Sequence, residues 1–162
     1  MFYVLAMVSQ VCAAEPSEPT IASDGTVRSN VFVEADAAAV RQVISDPVAL
    51  SKLNPDVLSA RVISHGACDM VEVTTRGMTT PLSYVVQRCP TSSGYTETLV
   101  SSEDFSAVAV SWKLESVPGG TNISYSIRTS PDLPVPQRLV SMATAKSAVA
   151  ALKNLVHRIT GQ

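Results

Sequence analysis

The ionisable residues Asp69, Arg88 and Glu97 form the best polar cluster that this sequence offers. Pairing the two apolar strands on either side of the RGMTTP segment sets Asp69 opposite Arg88, and pairing across the PTSSG segment brings Arg88 to Glu97. Because Arg88 shares the inward side of its strand with Tyr84 and Val86, the cluster is a candidate anchor for the polar group of a bound molecule at a cavity mouth. We favour the simpler interpretation, an ion network in solvent at the strand ends, since such pairs are common and stabilise little.

Two cysteines meet in the same alignment of strands. Setting Val73 opposite Tyr84 brings the apolar positions of both strands into register without reference to the cysteines, and it then places Cys68 opposite Cys89. Directly opposed cysteines are what a cross-strand disulfide requires. We therefore predict a structural Cys68–Cys89 disulfide; the alternative is two free thiols in a cytoplasmic protein.

No catalytic or metal-binding constellation stands out in the sequence. There is no glycine-rich phosphate loop, no G-x-S-x-G and no nucleophile paired with a histidine. The two histidines, His65 and His157, show no metal-ligand spacing with the cysteines. A net charge of −2 and a pI of about 5.6 provide no basic field for nucleic acid. The sequence predicts a protein that is not an enzyme and that uses no metal, cofactor or nucleic-acid partner.

The N-terminal residues predict an export signal. Residues 1–14 are an apolar run ending in small residues, which is typical of a secretory signal cleaved near Ala13 or Ala14, although no lysine or arginine precedes Arg28. The alternatives are a buried N-terminal strand or helix and a lipoprotein signal at Cys12. We expect a periplasmic or secreted protein with no stable membrane span after processing.

The remainder of the chain predicts one domain, residues 26–162, behind a flexible mature N-terminus at residues 15–25. A strand comes first, two short helices capped by Asp36 and Asp46 follow, and six strands and one long helix complete the order. Strands that follow one another through short turns predict an antiparallel sheet. Alanine recurs along the last helix, and these small side chains favour a space between that helix and the sheet.

Three segments carry a resemblance to a known superfamily: VFVEADAAAVRQVISDPVALSKLNPDV, WKLESVPGGTNISY and PDLPVPQRLV. In this order they resemble the START-like or SRPBCC superfamily, which includes polyketide cyclases, coenzyme Q-binding proteins and lipid-transfer domains. The resemblance covers about Thr26 to Ile159. It implies an α+β helix-grip fold, in which a curved antiparallel sheet of about seven strands wraps around the long C-terminal helix and leaves a cavity between them.

Strand alternation and the helical stripe predict the side chains that line this cavity. They are Val71, Val73, Tyr84, Val86, Leu99, Val110, Trp112, Tyr125, Ile127, Met142 and Val149. The same residues would also describe a dry core. The leading hypothesis is an exported, monomeric carrier of a small hydrophobic ligand such as a lipid, sterol or quinone. The alternatives are a polyketide-cyclase-like enzyme, which needs an acid or base inside the cavity, and an envelope interaction domain with a collapsed cavity. We expect no carboxylate or histidine deep in the cavity.

Overall fold

Eight strands and three helices make up residues 14–161, the part of the chain that the computed structural model describes. The strands are β1 (Thr20–Ile21), β2 (Val27–Val33), β3 (Val57–Ser64), β4 (Asp69–Thr75), β5 (Leu82–Thr91), β6 (Gly94–Ser101), β7 (Phe105–Val117) and β8 (Gly120–Pro131). The helices are α1 (Ala37–Ile44), α2 (Pro47–Ser51) and α3 (Gln137–Thr160). Residues 1–13 of the predicted signal peptide lie outside the described residues, so the export signal stays a prediction.

The two short helices form because each begins at an aspartate that caps it. Asp36 accepts a hydrogen bond from the Ala39 backbone N–H at 2.7 Å, and Asp46 accepts from Val48 and Ala49 at 2.9 and 3.1 Å. These bonds satisfy N–H groups that have no partner inside the helix. Each helix therefore begins where the sequence predicts it, and both lie directly after β2.

The strand registers follow the apolar alternation. Val73 lies opposite Tyr84 and Asp69 opposite Arg88 in the β4–β5 pair, as predicted. In the β7–β8 hairpin the predicted pairs Val110–Ile127, Trp112–Tyr125 and Leu114–Ile123 are all present. Gly119 closes that hairpin with φ of 87°, a left-handed conformation that favours glycine.

All eight strands belong to one antiparallel sheet in the order β1-β2-β8-β7-β6-β5-β4-β3. Helix α3 packs mainly on β2 and β8, near one edge of the sheet, while α2 packs on β3 at the other edge. The residues between α3 and this part of the sheet are core: Val27 and Ile123 of the sheet and Leu152 and Leu155 of α3 are fully buried. The helix-grip α+β fold predicted from the sequence is confirmed.

The segment predicted to be flexible is tied to the sheet. Thr20 and Ile21 form the eighth strand, β1, against β2, and Ser17 donates its backbone N–H to the Asn30 carbonyl at 2.7 Å. Ser29 also donates to the Ser17 carbonyl at 2.9 Å. The count of seven strands is thus one too few, because a two-residue strand carries no readable alternation. Within residues 14–161, no helix has the length and apolar character needed to cross a membrane.

Candidate functional site

An open cavity of about 500 Å³ lies between α3 and the sheet. Its walls come from four regions: the α2–β3 connection, the loop that joins β4 to β5, the inner face of β5, β7 and β8 with the segment after β8, and the first half of α3. The main cavity is lined by Asn54, Asp56, Val57, Thr75, Arg76, Gly77, Met78, Leu82, Tyr84, Phe105, Ile127, Thr129, Pro131, Leu133, Val135, Leu139, Val140, Ala143, Thr144 and Ser147. Apolar side chains dominate this wall.

Asp56 joins the main cavity's walls to one another. Its carboxylate accepts a hydrogen bond from the hydroxyl of Ser147 on α3. Its backbone carbonyl accepts from the Thr75 hydroxyl at 2.9 Å and from the Arg76 N–H at 2.7 Å. The backbone N–H of Asp56 is held in turn by Asn54 Oδ1 at 2.9 Å. The α2–β3 connection, the β4–β5 loop and α3 therefore meet at this residue.

A second, smaller space of about 40 Å³, the inner recess, continues from the main cavity. It shares Asn54, Val57, Tyr84 and Ile127 with the main cavity. The side chains that line only the recess are Leu50, Ser51, Glu97, Val110, Trp112, Tyr125 and Ala151. The rings of Trp112 and Tyr125 lie side by side, with centroids 4.2 Å apart.

The recess ends at a buried ion pair. Arg88 Nε lies 3.3 Å from Glu97 Oε1, with 2% of the Arg88 side chain and 16% of the Glu97 side chain exposed. Arg88 also donates to the carbonyls of Ile44 and Ser45, at the C-terminal end of α1, where a cation complements the helix dipole. The Arg88 guanidinium lies 3.9 Å from the Tyr95 ring centroid. The preferred interpretation of a solvated ion network is therefore wrong, because α1 covers this end of the strands.

Burial shifts the pKa values of the groups around the recess. It raises the pKa of Glu97, and the nearby Arg88 cation opposes that rise. Burial also lowers the pKa of Arg88, with Glu97 acting in the other direction. The pKa values of the Tyr84 and Tyr125 phenols are raised by burial and then by Glu97. The expectation that no carboxylate lies deep inside is wrong, since Glu97 faces the recess.

Asp69 does not complete the cluster as an anchor. It lies opposite Arg88 in the strand register, but its carboxylate contacts His65 Nδ1 at 3.1 Å outside the recess. The neighbouring residues Cys68 and Cys89 form the predicted disulfide, with Cα atoms 4.4 Å apart. Among residues 14–161, no group of three or more histidine, cysteine, aspartate or glutamate side chains is arranged to hold a metal ion.

A search of curated protein sequences finds no match to this chain. The family described as "Polyketide cyclase / dehydrase and lipid transport" matches residues 24–159. The chain belongs to this family. The superfamily resemblance seen in the sequence is thereby confirmed.

Solved structures share the fold of this polyketide cyclase and lipid transport family member at low sequence identity. A START superfamily protein from Mycobacterium smegmatis aligns with a TM-score of 0.72 and 15% identity, covering 84% of this chain and 97% of its own. The Zhui aromatase/cyclase from Streptomyces sp. R1128 gives 0.71 and 11%, covering 83% and 93%. Human StAR-related lipid transfer protein 5 gives 0.68 and 13%, covering 94% and 89%. At these identities the likeness shows the fold alone.

The structure divides the residues predicted to line the family's cavity into three groups. Tyr84 and Ile127 line both spaces, and Val110, Trp112 and Tyr125 line the recess. The third group lines neither space: Val71, Val73 and Val86 are buried in the core, and Leu99 packs against it. The sheet's inner face is therefore partly core and partly cavity wall.

The helix residues predicted for the cavity do not line it. Met142 is 53% exposed and contributes to neither space, and Val149 is half-buried outside both. The stripe that faces the main cavity is Val140, Ala143, Thr144 and Ser147, which is the spacing of one helix face. The sequence prediction placed a neighbouring face of α3 toward the cavity, because alanines occur on several faces of this helix. It also missed Phe105 and the loop residues at the mouth.

Proposed function

We propose that this protein is an exported carrier that binds a small hydrophobic ligand in the space between α3 and the sheet. The observation that supports the proposal most directly is the main cavity, whose volume of about 500 Å³ lies within the range of small-molecule sites. Burying a ligand's apolar surface there contributes roughly 25 cal/mol per Å², before the costs of ordering. An open cavity also argues against the collapsed-cavity alternative.

The Arg88–Glu97 pair serves this carrier as a polar anchor. Glu97 faces the inner recess, and its partner Arg88 is held by two α1 carbonyls. A hydroxyl or amide on the leading end of the ligand donates to the Glu97 carboxylate, while the apolar body fills the main cavity. Because both charged groups are held in place before binding, the anchor adds selectivity at little ordering cost. Asp69, which pairs with His65 and lines neither space, does not contact the ligand in this proposal.

Native mass spectrometry on the protein purified from its own host tests the carrier proposal. We expect a defined small-molecule adduct that denaturation releases. The matched experiment uses Ala143→Trp, which fills the main cavity, and Met142→Trp, which places the same ring on the exposed face of α3. Adduct loss in the first variant and retention in the second supports binding in the cavity. An adduct that survives Ala143→Trp places the ligand elsewhere and contradicts the proposal.

Export of a monomer is the second part of the proposal. A Cys68–Cys89 disulfide persists in oxidising compartments such as the periplasm or the extracellular space. Cell fractionation followed by N-terminal sequencing should recover a mature protein beginning near Ala14 or Glu15, and light scattering should give the mass of one chain. An intact N-terminus in the cytoplasmic fraction would contradict export, and a dimer mass would contradict the monomer.

A cyclase is the second candidate function, and Glu97 is the observation that favours it. A carboxyl group whose pKa is raised by burial is suited to proton transfer near neutral pH. In an intramolecular aldol reaction of a poly-β-ketone, an α-carbon would lose its proton and bond to a second carbonyl carbon, whose oxygen would take the proton of Glu97, and the α-proton would replace it on Glu97. The new hydroxyl would then leave with a second α-hydrogen as water. The test is mass spectrometry of a synthetic poly-β-ketone thioester incubated with the protein. Loss of one water, abolished by Glu97→Gln, supports the cyclase; an unchanged substrate mass contradicts it.

A further inference from the structure

The side chain of Arg76 differs from the other charged side chain on the wall of the main cavity in having no partner within the described part of the chain. Two charged residues line that cavity within residues 14–161, Asp56 and Arg76. The Asp56 carboxylate accepts from Ser147, and Thr75 and Thr144 donate to backbone carbonyls. The Arg76 guanidinium has no hydrogen bond or ion pair with any described residue, although the Arg76 backbone N–H is fixed on Asp56 at 2.7 Å. A fixed backbone thus presents an unpaired cation to the open end of an apolar space.

Arg76 sits beside apolar side chains that the fold leaves uncovered. Met78, two residues further along the same loop, is 81% exposed, and Leu133 and Leu139 across the mouth are 36% and 55% exposed. All three line the cavity. Large apolar surface next to an unpaired guanidinium matches a molecule that is apolar along its body and anionic at one end. A guanidinium binds carboxylate and phosphate oxygens through paired N–H donors and stays charged at every physiological pH.

We infer that the ligand is an anionic amphiphile whose carboxylate or phosphate group lies at the mouth of the main cavity and pairs with Arg76. The inference rests on the proposed carrier function and narrows its ligand class. The body of the ligand enters first and lies against Tyr84, Phe105 and Ile127, while the anionic group stays in contact with water. The ligand's anionic group therefore keeps its contact with water, and it does not incur the desolvation cost of being buried near Glu97.

Competition against Nile red, a neutral apolar dye, tests the inference on the full mature chain. The competitors are palmitate, hexadecyl phosphate and hexadecanol, which share one apolar chain and differ in the head group. We expect both anions to compete up to about fivefold better than the alcohol, the size of effect that an exposed ion pair gives. Added salt should reduce this preference. A preference for only one of the anions identifies which oxygen group the mouth accepts.

Three variants locate the effect. Arg76→Gln should remove the preference for the anions, and Arg76→Lys should retain part of it. Arg138→Gln removes the same charge from an exposed residue that neighbours Leu139 but does not line the cavity, and it should leave the preference intact. Equal competition by all three molecules in the unmodified protein, or a preference that survives Arg76→Gln, overturns the inference while the carrier function stands. If Nile red does not bind, or no competitor displaces it, both the carrier function and this inference fail.

Discussion

Arg88 and Glu97 lie opposite each other in the β5–β6 pair, with Nε and Oε1 3.3 Å apart and the arginine almost fully buried. The arginine faces two demands at once, since it neutralises a carboxylate at the end of the recess and donates to the last carbonyls of α1. Removal of one partner from a buried pair leaves the other charge without compensation. This relationship leads to predictions for both the stability of the fold and the ionisation of Glu97.

Arg88→Met should lower the free energy of unfolding by about 3 kcal/mol, because Glu97 and the end of α1 both lose their partner. Urea denaturation measures the change. Arg61→Gln is the matched control, since Arg61 pairs with Glu72 on the exposed face at 3.0 Å, with 71% and 41% of the side chains exposed. Arg61→Gln should lower the free energy of unfolding by less than about 1 kcal/mol. Equal effects of the two substitutions would show that burial of Arg88 contributes nothing.

Glu97 should make stability depend on pH in a direction set by its raised pKa. The folded protein holds the Glu97 proton more tightly than the unfolded chain, where the pKa has its ordinary value of 4.5. From about that pH upward through the folded-state pKa, the folded protein carries more protons, so stability falls as pH rises. Glu97→Gln removes this contribution.

The variant Glu97→Gln should therefore gain stability relative to the unmodified protein as pH rises through that window. The measurement is urea denaturation of both proteins across a pH series, because the difference between them cancels the other titrating groups. A relative loss of stability with rising pH would mean that Arg88 outweighs burial and that the Glu97 pKa is lowered.

Loss of the Cys68–Cys89 disulfide should reduce the free energy of unfolding by about 3 kcal/mol, since the bridge spans a sequence separation of 21 and restricts the unfolded chain. Urea denaturation with and without a reducing agent measures this difference. The double variant Cys68→Ala, Cys89→Ala should have the stability of the reduced unmodified protein, both with and without the reducing agent. A reductant effect that persists in the double variant would show that the agent acts elsewhere in the molecule.

Ala143→Trp should weaken binding of an apolar ligand by tenfold or more, because the indole occupies the main cavity beside Val140 and Ser147. Stability should change by less than about 1 kcal/mol, since the new ring enters open space and displaces no packed atoms. Nile red titration and urea denaturation give the two quantities. Met142→Trp, on the exposed face of α3, should bind as the unmodified protein does. Similar weakening by both would indicate a general effect on the helix.

The sequence predicts the strand registers well because the side-chain period of a strand is two, and a slip of one residue would turn Val73 and Tyr84 outward. The disulfide follows from that register, and the meeting of Arg88 with Glu97 follows from the next one, in the β5–β6 pair. The burial of Arg88 could not be predicted, because it depends on the carbonyls of Ile44 and Ser45 arriving from a distant helix.

The border between core and cavity is equally invisible in the sequence. Val71 and Ile127 both point inward and both belong to the buried core, yet only Ile127 also lines the main cavity. Whether open space lies above an inward side chain is a result of tertiary packing, which the alternation along a strand does not encode. The face of α3 was also ambiguous, since Ala143 lines the main cavity and Ala145 lies in the core, and the same residue type marks both faces.

The sheet begins at β1 and ends at β3 without these two edges meeting, so the fold is a gutter and not a closed barrel. Helix α3 packs on β2 and β8 near one edge of the sheet. Two side-chain hydrogen bonds, from Ser147 to Asp56 and from Asn154 to the Leu53 carbonyl, join it to the segment before β3 at the other edge. The gap can therefore widen when two side-chain bonds open, while every bond between strands stays intact. For the proposed carrier, such widening would make the chemical character of a ligand matter more than its width, which suits a series of homologous molecules of graded chain length.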